Sequence, residues 1–133
     1  MKSRHAAFVA AGLMVMAGGM GMGAPQPLPD RSTQLYIEVS ALGGLDYFYD
    51  HKMGMERAGK ALGVRTEYGG PHNYDMSAMI TMVEQAIARK PKGIVVVGCE
   101  STLNAIVDKA VAAGIPVVTV DADLPESKRC AFV

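Results

Sequence analysis

The run Gly93-Ile94-Val95-Val96-Val97-Gly98 constrains this chain more than any other segment. Four consecutive β-branched residues between glycines make a strand rather than a helix. The run does not alternate apolar with polar, so both of its faces are buried. Strands of that kind belong to parallel sheets with helices on each side.

The rest of the chain supplies the elements such a sheet needs. Leu35-Tyr36-Ile37-Glu38-Val39 reads as a first strand, closed by Ser40 and the Gly43-Gly44 breaker. Phe48, Met55, Ala58 and Leu62 recur at helical spacing and Gly63 follows as a stop. Val64 to Tyr68 is a second strand, ended by Gly69-Gly70-Pro71. Asp75 can cap a helix whose apolar face is Met76, Met79, Ile80, Val83, Ala86 and Ile87, ending near Lys90 before Pro91. The methionines of that stripe read as core. After the central run, Ser101 is placed to cap a helix with Leu103, Ile106, Val107, Ala110 and Val111 inward, up to Gly114. Pro116 to Val120 is a fourth strand, and Ala131-Phe132-Val133 begins a fifth.

Single helices between successive strands predict right-handed crossovers and an α/β, doubly wound parallel sheet. A sheet ending on a half-written strand leaves an apolar edge uncovered. The expectation is therefore that residues 34–133 are part of a longer protein.

The amino terminus follows a different logic. Lys2 and Arg4 precede an uncharged run from Ala6 to Met22, and small residues follow in Gly21-Met22-Gly23-Ala24. That is the layout of a secretory signal peptide over residues 1–23, cleaved after Gly23. Three prolines among residues 25–29 make residues 24–33 an extended spacer. Cleavage would leave eleven basic against thirteen acidic residues, a net charge of −2. The whole chain balances thirteen against thirteen, so it lacks the basic excess of a nucleic-acid binder. Two cysteines cannot build a disulfide scaffold, and no His/Cys cluster has zinc spacing. Cys99 follows the third strand and Cys130 precedes the fifth, at opposite ends of a parallel sheet, so a bond between them is not expected.

Open parallel sheets bind ligands at the carboxyl ends of their strands. Here those ends are Ser40 to Tyr49, Gly69 to Asp75, Gly98 to Ser101 and Asp121 to Leu124. Asp121-Ala122-Asp123 directly follows a buried strand, and two carboxylates at i and i+2 project to one side if the segment stays extended. Ionised carboxylates only accept hydrogen bonds, which suits neighbouring sugar hydroxyls. The same pair would suit Mg²⁺ or general acid–base work. Three adjacent aromatics, Tyr47-Phe48-Tyr49, cannot all face one core. One packs inward and one or two face the cleft, where a ring stacks on the apolar side of a sugar, the other reading being packing at the helix start alone. Ser40 and Glu100 complete the candidates, although Glu100 reads more readily as a surface acid than as a cleft residue. His51 and His72 have no motif partners and read as exposed bystanders. No G-x-G-x-x-G, Walker or G-x-S-x-G sequence is present.

Three stretches then carry a resemblance. They are Gly70-Pro71-x-x-Tyr74-Asp75, Ala86 to Ile94, and Ala113-Gly114-Ile115-Pro116-Val117-Val118-Thr119-Val120-Asp121-Ala122-Asp123 followed by Ser127-Lys128-Arg129 and Ala131 to Val133. From Gln34 to Val133 the chain resembles the amino-terminal lobe of the periplasmic sugar-binding proteins of bacterial ABC importers, in the branch with ribose-, rhamnose- and autoinducer-2-binding proteins. The resemblance implies a periplasmic binding protein type 1 fold, two hinged lobes closing on a monosaccharide, and no catalysis or cofactor. It implies an ABC permease as partner and a monomer when full length. Asp121 matches the family's sugar-accepting aspartate, Asp123 the second acid of the rhamnose and autoinducer-2 branch, and Tyr47 and Phe48 the aromatic pair before the first helix. The family's Asn-Pro before that pair is Leu45-Asp46 here, and the Arg of ribose binders is Ala122. A related small polyol is therefore implied rather than ribose. The hinge and second lobe have no counterpart in these 133 residues.

Two other classes fit the same fold. One is the ligand-sensing outer domain of a receptor. The other is an enzyme using the Asp121/Asp123 pair with a metal, which would need more ligands than Glu100 supplies. A non-functional fragment of a binding protein is a further alternative.

Overall fold

Five parallel strands form one sheet in the order β2-β1-β3-β4-β5 in the computed structural model, which describes residues 29–133. The signal-peptide segment and the first half of the proline-rich spacer, residues 24–28, lie outside the described residues. The strands are β1 (Leu35–Val39), β2 (Arg65–Gly69), β3 (Gly93–Val97), β4 (Val117–Val120) and β5 (Ala131–Phe132). The helices are α1 (Tyr49–Leu62), α2 (Met76–Ala88) and α3 (Asn104–Ala112). The α/β doubly wound parallel architecture expected from the sequence is the one present.

The chain steps from β1 to β2 in one direction and from β2 to β3 in the other. Right-handed crossovers therefore set α1 on one face of the sheet, and α2 and α3 on the opposite face. The second face holds most of the core. Ile37, Val39, Ile94, Val96 and Val117 are buried there by register, with Met79, Val83, Ala86, Ile106, Val107 and Ala110 from the two helices. The central run of β3 is buried as its composition requires, with only Val95 partly open.

Local signals place most helix ends. The Asp75 carboxylate accepts from the Ala78 N–H at 3.0 Å and caps α2. That helix closes at Arg89, and Lys90 turns left-handed (φ +51°) before Pro91. Gly63 (φ +66°) and Gly114 (φ +79°) end α1 and α3 in the conformation glycine tolerates best.

Three local expectations are corrected. The second strand is displaced by one residue, to Arg65–Gly69. Ser101 caps no helix: Glu100 occupies the cap position, no side chain caps there, and a 3-10 turn over Ser101–Leu103 leads into α3. The inward stripe of α1 is also different. Phe48 is buried, but Ala58 is exposed and Leu62 is 56% exposed. The only buried residue within the helix is Gly59. A Cβ there would meet Thr66 Oγ1 at 2.7 Å, so the helix leans on β2 at a glycine and turns its leucine outward.

Candidate functional site

The loop after β1 and the loop after β4 meet at the carboxyl edge of the sheet. A 3-10 turn over Asp46–Phe48 runs directly into α1 and divides the three aromatics. Phe48 drops into the core at 5% exposure, while Tyr47 and Tyr49 stay 65% and 59% exposed. The Phe48 ring meets Tyr47 and His51 edge-on, with centroids 4.9 and 5.3 Å away. Phe48 thus supports from inside, and the ring that stands open beside the β4 loop is Tyr47.

Tyr47 Oη donates to Asp121 Oδ1 at 2.7 Å. That bond holds the proton on the phenol and pushes its pKa up. Asp121 sits where β4 ends, at φ +64°, and its N–H donates to the Val133 carbonyl at 3.2 Å. The Ala122 N–H bonds back to Val120 O at 2.7 Å. The segment is therefore a tight turn, and the i, i+2 carboxylates do not project together from an extended backbone.

Asp123 consequently plays a different part from the paired acceptor expected. Its Oδ1 accepts from Thr119 Oγ1 at 2.8 Å, from the Leu124 N–H at 2.7 Å and from Arg129 Nε. Its Oδ2 accepts from Arg129 Nη2 at 2.6 Å. The Arg129 guanidinium holds this carboxyl well below the usual carboxylate range, helped by the Thr119 and Leu124 donors. Asp123 ties residues 119–129 into a loop, while Asp121 keeps open lone pairs.

Ser40 is wholly buried, and its Oγ has no hydrogen-bond partner among the described residues. Gly43 and Gly70 press together beside it: a Cβ on Gly70 would reach Ser40 O at 2.5 Å, and one on Gly43 would reach Gly70 O at 2.6 Å. Glu100 is exposed and lines a cavity of about 370 Å³ with Cys99, Asn104 and Asp123. The sequence-derived candidates thus fall into three places. Tyr47 and Asp121 are joined at the surface, Phe48 and Ser40 lie beneath, and Glu100 and Asp123 line a neighbouring cavity.

Two residues at this edge were not among the site candidates. Tyr74 is 53% exposed, and its phenol is pushed up to about 12 by hydrogen bonding with Cys99 and by nearby Glu100. Its sequence signals were its place beside the Asp75 cap and within the Gly70-Pro71-x-x-Tyr74-Asp75 stretch. His51, expected as an exposed bystander, is instead paired: Nδ1 lies 2.8 Å from Oε1 of Glu38, a strand residue only 3% exposed. Burial pushes the Glu38 carboxyl up, and His51 opposes that shift. Cys99 and Cys130 are both free. Burial pushes the Cys99 thiol up as well.

Residues 39–133 match the model of the periplasmic binding protein domain. No curated protein matches the chain. Among solved structures, the sugar-binding protein of a sugar ABC transporter from Bacillus halodurans is 38% identical with a TM-score of 0.72, over 74% of this chain and 34% of that one. An arabinose-binding protein from Geobacillus stearothermophilus is 39% identical with a TM-score of 0.73, over 75% of this chain and 35% of that one. An ABC transporter solute-binding protein from Burkholderia graminis, in complex with D-arabinose, is 25% identical with a TM-score of 0.73, over 77% and 36%. The chain therefore spans about a third of the length of these relatives. With strand order, helix placement and the domain match in agreement, the chain belongs to the periplasmic binding protein domain family and has its type 1 fold.

Proposed function

We propose that residues 34–133 form the amino-terminal lobe of an exported, non-catalytic solute-binding domain that takes a monosaccharide or similar small polyol. The observation that carries this reading is the exposed Tyr47–Asp121 pair at the carboxyl edge of the sheet. A phenol ring presents a flat apolar face, and the carboxylate beside it has acceptor capacity that one tyrosine does not exhaust. Sugars need that combination, because an apolar ring face and hydroxyl hydrogens lie side by side. Asp121 accepts from sugar hydroxyls, Tyr47 stacks, and Glu100 reaches the ligand from the β3 end. Phe48 and Asp123 hold these groups in place. The sugar ligands of the structural relatives support the ligand class. Delivery to an ABC permease in the inner membrane, after export by a cleaved signal peptide, completes the role.

Calorimetric titration of the protein as its own cells secrete it, against a panel of pentoses and hexoses, tests this. Saturable binding of at least one sugar, unaffected by chelators and without turnover, is the expected result. Absence of binding across the panel, or conversion of the sugar, would overturn the reading.

A further inference from the structure

Three sulfur atoms converge at the carboxyl end of β3, outside the Tyr47–Asp121 pair. Cys99 Sγ lies 3.7 Å from Met76 Sδ and 4.0 Å from Met79 Sδ. Their convergence follows from the local fold. Cys99 comes two residues after β3 ends, and Met76 is the first residue of α2. Met79 follows at i+3, so both thioethers leave the helix on one side. The Asp75 cap fixes the turn that carries them. Met79 is fully buried, and Met76 and Cys99 are half-buried, so the cluster has a closed base and an open rim. Cys99 also borders the cavity of about 370 Å³, which gives a way in from solvent.

Thiolate and thioether sulfurs are soft ligands that select Cu(I) over hard cations. Bonds to sulfur of about 2.3 Å, the length zinc makes, place three trigonal ligands about 4 Å apart. The two separations from Cys99 Sγ fall at or just under that spacing. Among the described residues no three His, Cys, Asp or Glu side chains gather, so a harder cation finds no comparable ligand set.

We propose that Met76, Met79 and Cys99 form a binding site for a soft monovalent cation, Cu(I) or its analogue Ag(I). Binding breaks the Sγ–H bond and forms an Sγ–metal bond. One proton leaves to solvent, the two thioethers donate lone pairs, and no electron is transferred. The site opens on the cavity that Glu100 also lines, but the proposal does not depend on the sugar reading.

The test uses the full chain carrying Cys130→Ser, which removes the exposed second thiol. Anaerobic titration with Cu(I) in the presence of bicinchoninate reads how much metal the protein withholds. Near-ultraviolet absorption reports sulfur-to-metal charge transfer. One equivalent withheld, with the absorption, is expected. Cys99→Ser abolishes both, and Met76→Leu weakens binding about tenfold or more. Met76→Leu keeps the side-chain volume, and an unchanged circular-dichroism melt confirms that the fold persists. The proposal falls if no Cu(I) is withheld, if Cys99→Ser still binds it, or if Met76→Leu and Met79→Leu both bind like the parent. That last outcome would leave a thiol acting alone.

Discussion

The Tyr47 hydroxyl donates to Asp121 at 2.7 Å and joins residues 74 positions apart in the chain. The bond closes the first βα loop against the loop after β4. Asp121 contributes from a left-handed backbone conformation that aims its carboxylate at the tyrosine rather than along the strand.

Substituting this pair separates its two chemical contributions. Asp121→Ala lowers sugar affinity about tenfold or more, because ligand hydroxyls lose a charged acceptor. Tyr47→Phe keeps the ring and removes only the internal donor, so its loss is smaller than that of Asp121→Ala. Tyr47→Ala removes the stacking face and falls below Tyr47→Phe. Calorimetry on the three variants gives the order, and equal losses for Tyr47→Phe and Tyr47→Ala would assign the contribution to the hydroxyl instead.

Asp123 answers to a different measurement. Asp123→Ala lowers the melting temperature more than Asp121→Ala does, since it leaves the Arg129 guanidinium without its carboxylate and Thr119 with only the long 3.4 Å bond to the Ala131 carbonyl. The folded-state pKa of Asp123 lies below its unfolded value. Its contribution to stability is therefore present above about pH 4 and is lost as pH falls through the lowered value. Thermal melts at descending pH show this loss in the parent and not in Asp123→Ala.

Gly98 couples packing to the site. A Cβ there would meet Ala122 O at 2.5 Å and Leu124 Cγ at 2.9 Å, so Gly98→Ala pushes the β4 loop outward. Overpacking of this kind costs about 1–3 kcal/mol, and the displaced Asp121 lowers sugar affinity as well. Gly114→Ala meets no atom within 4 Å but must hold φ +79°. It costs about 1 kcal/mol and leaves affinity unchanged. Denaturant melts with calorimetry distinguish the two.

The buried Glu38–His51 pair makes a prediction about pH. His51→Ala leaves a carboxylate inside the protein without its partner and costs about 2 kcal/mol at neutral pH. The folded-state pKa of Glu38 is raised, so its protonated form is favoured in the fold. Stability linked to Glu38 is greatest below its unfolded pKa of about 4.3 and declines as pH rises through the folded value. Without His51 that decline is steeper. Urea melts at pH 5 and pH 8 should therefore show a larger penalty for His51→Ala at pH 8, and an equal penalty would remove Glu38 from the account.

Export is checked at the amino terminus. Sequencing of the protein secreted by its own cells is expected to begin at Ala24, and an intact Met1 terminus would exclude cleavage after Gly23.

Much of the architecture was legible because the signals behind it are local. The continuous β-branched run of β3 set the sheet type, and Asp75, Gly63, Gly114 and Pro91 marked helix boundaries within a residue or two. Each acts through its own backbone conformation or its own hydrogen-bonding capacity. Helix α1 was read less well, because a packed glycine carries no hydrophobic signal. Gly59 lies against Thr66, and the stripe through Ala58 and Leu62 faces solvent as a result.

The site divides along the same line. Sequence alone determined the strand ends where polar and aromatic side chains would collect, and Asp121 and Tyr47 were both found there. Only the tertiary structure decided which carboxylate stays available. Asp121 and Asp123 look equivalent as letters, but Arg129, Thr119 and a backbone N–H occupy Asp123, whereas Asp121 meets one tyrosine hydroxyl. It likewise decided that His51 faces Glu38 and that Cys99 meets Met76 and Met79. Periodicity reports which face of an element is apolar. It does not say which partner lies opposite, because that depends on how separate elements cross in space.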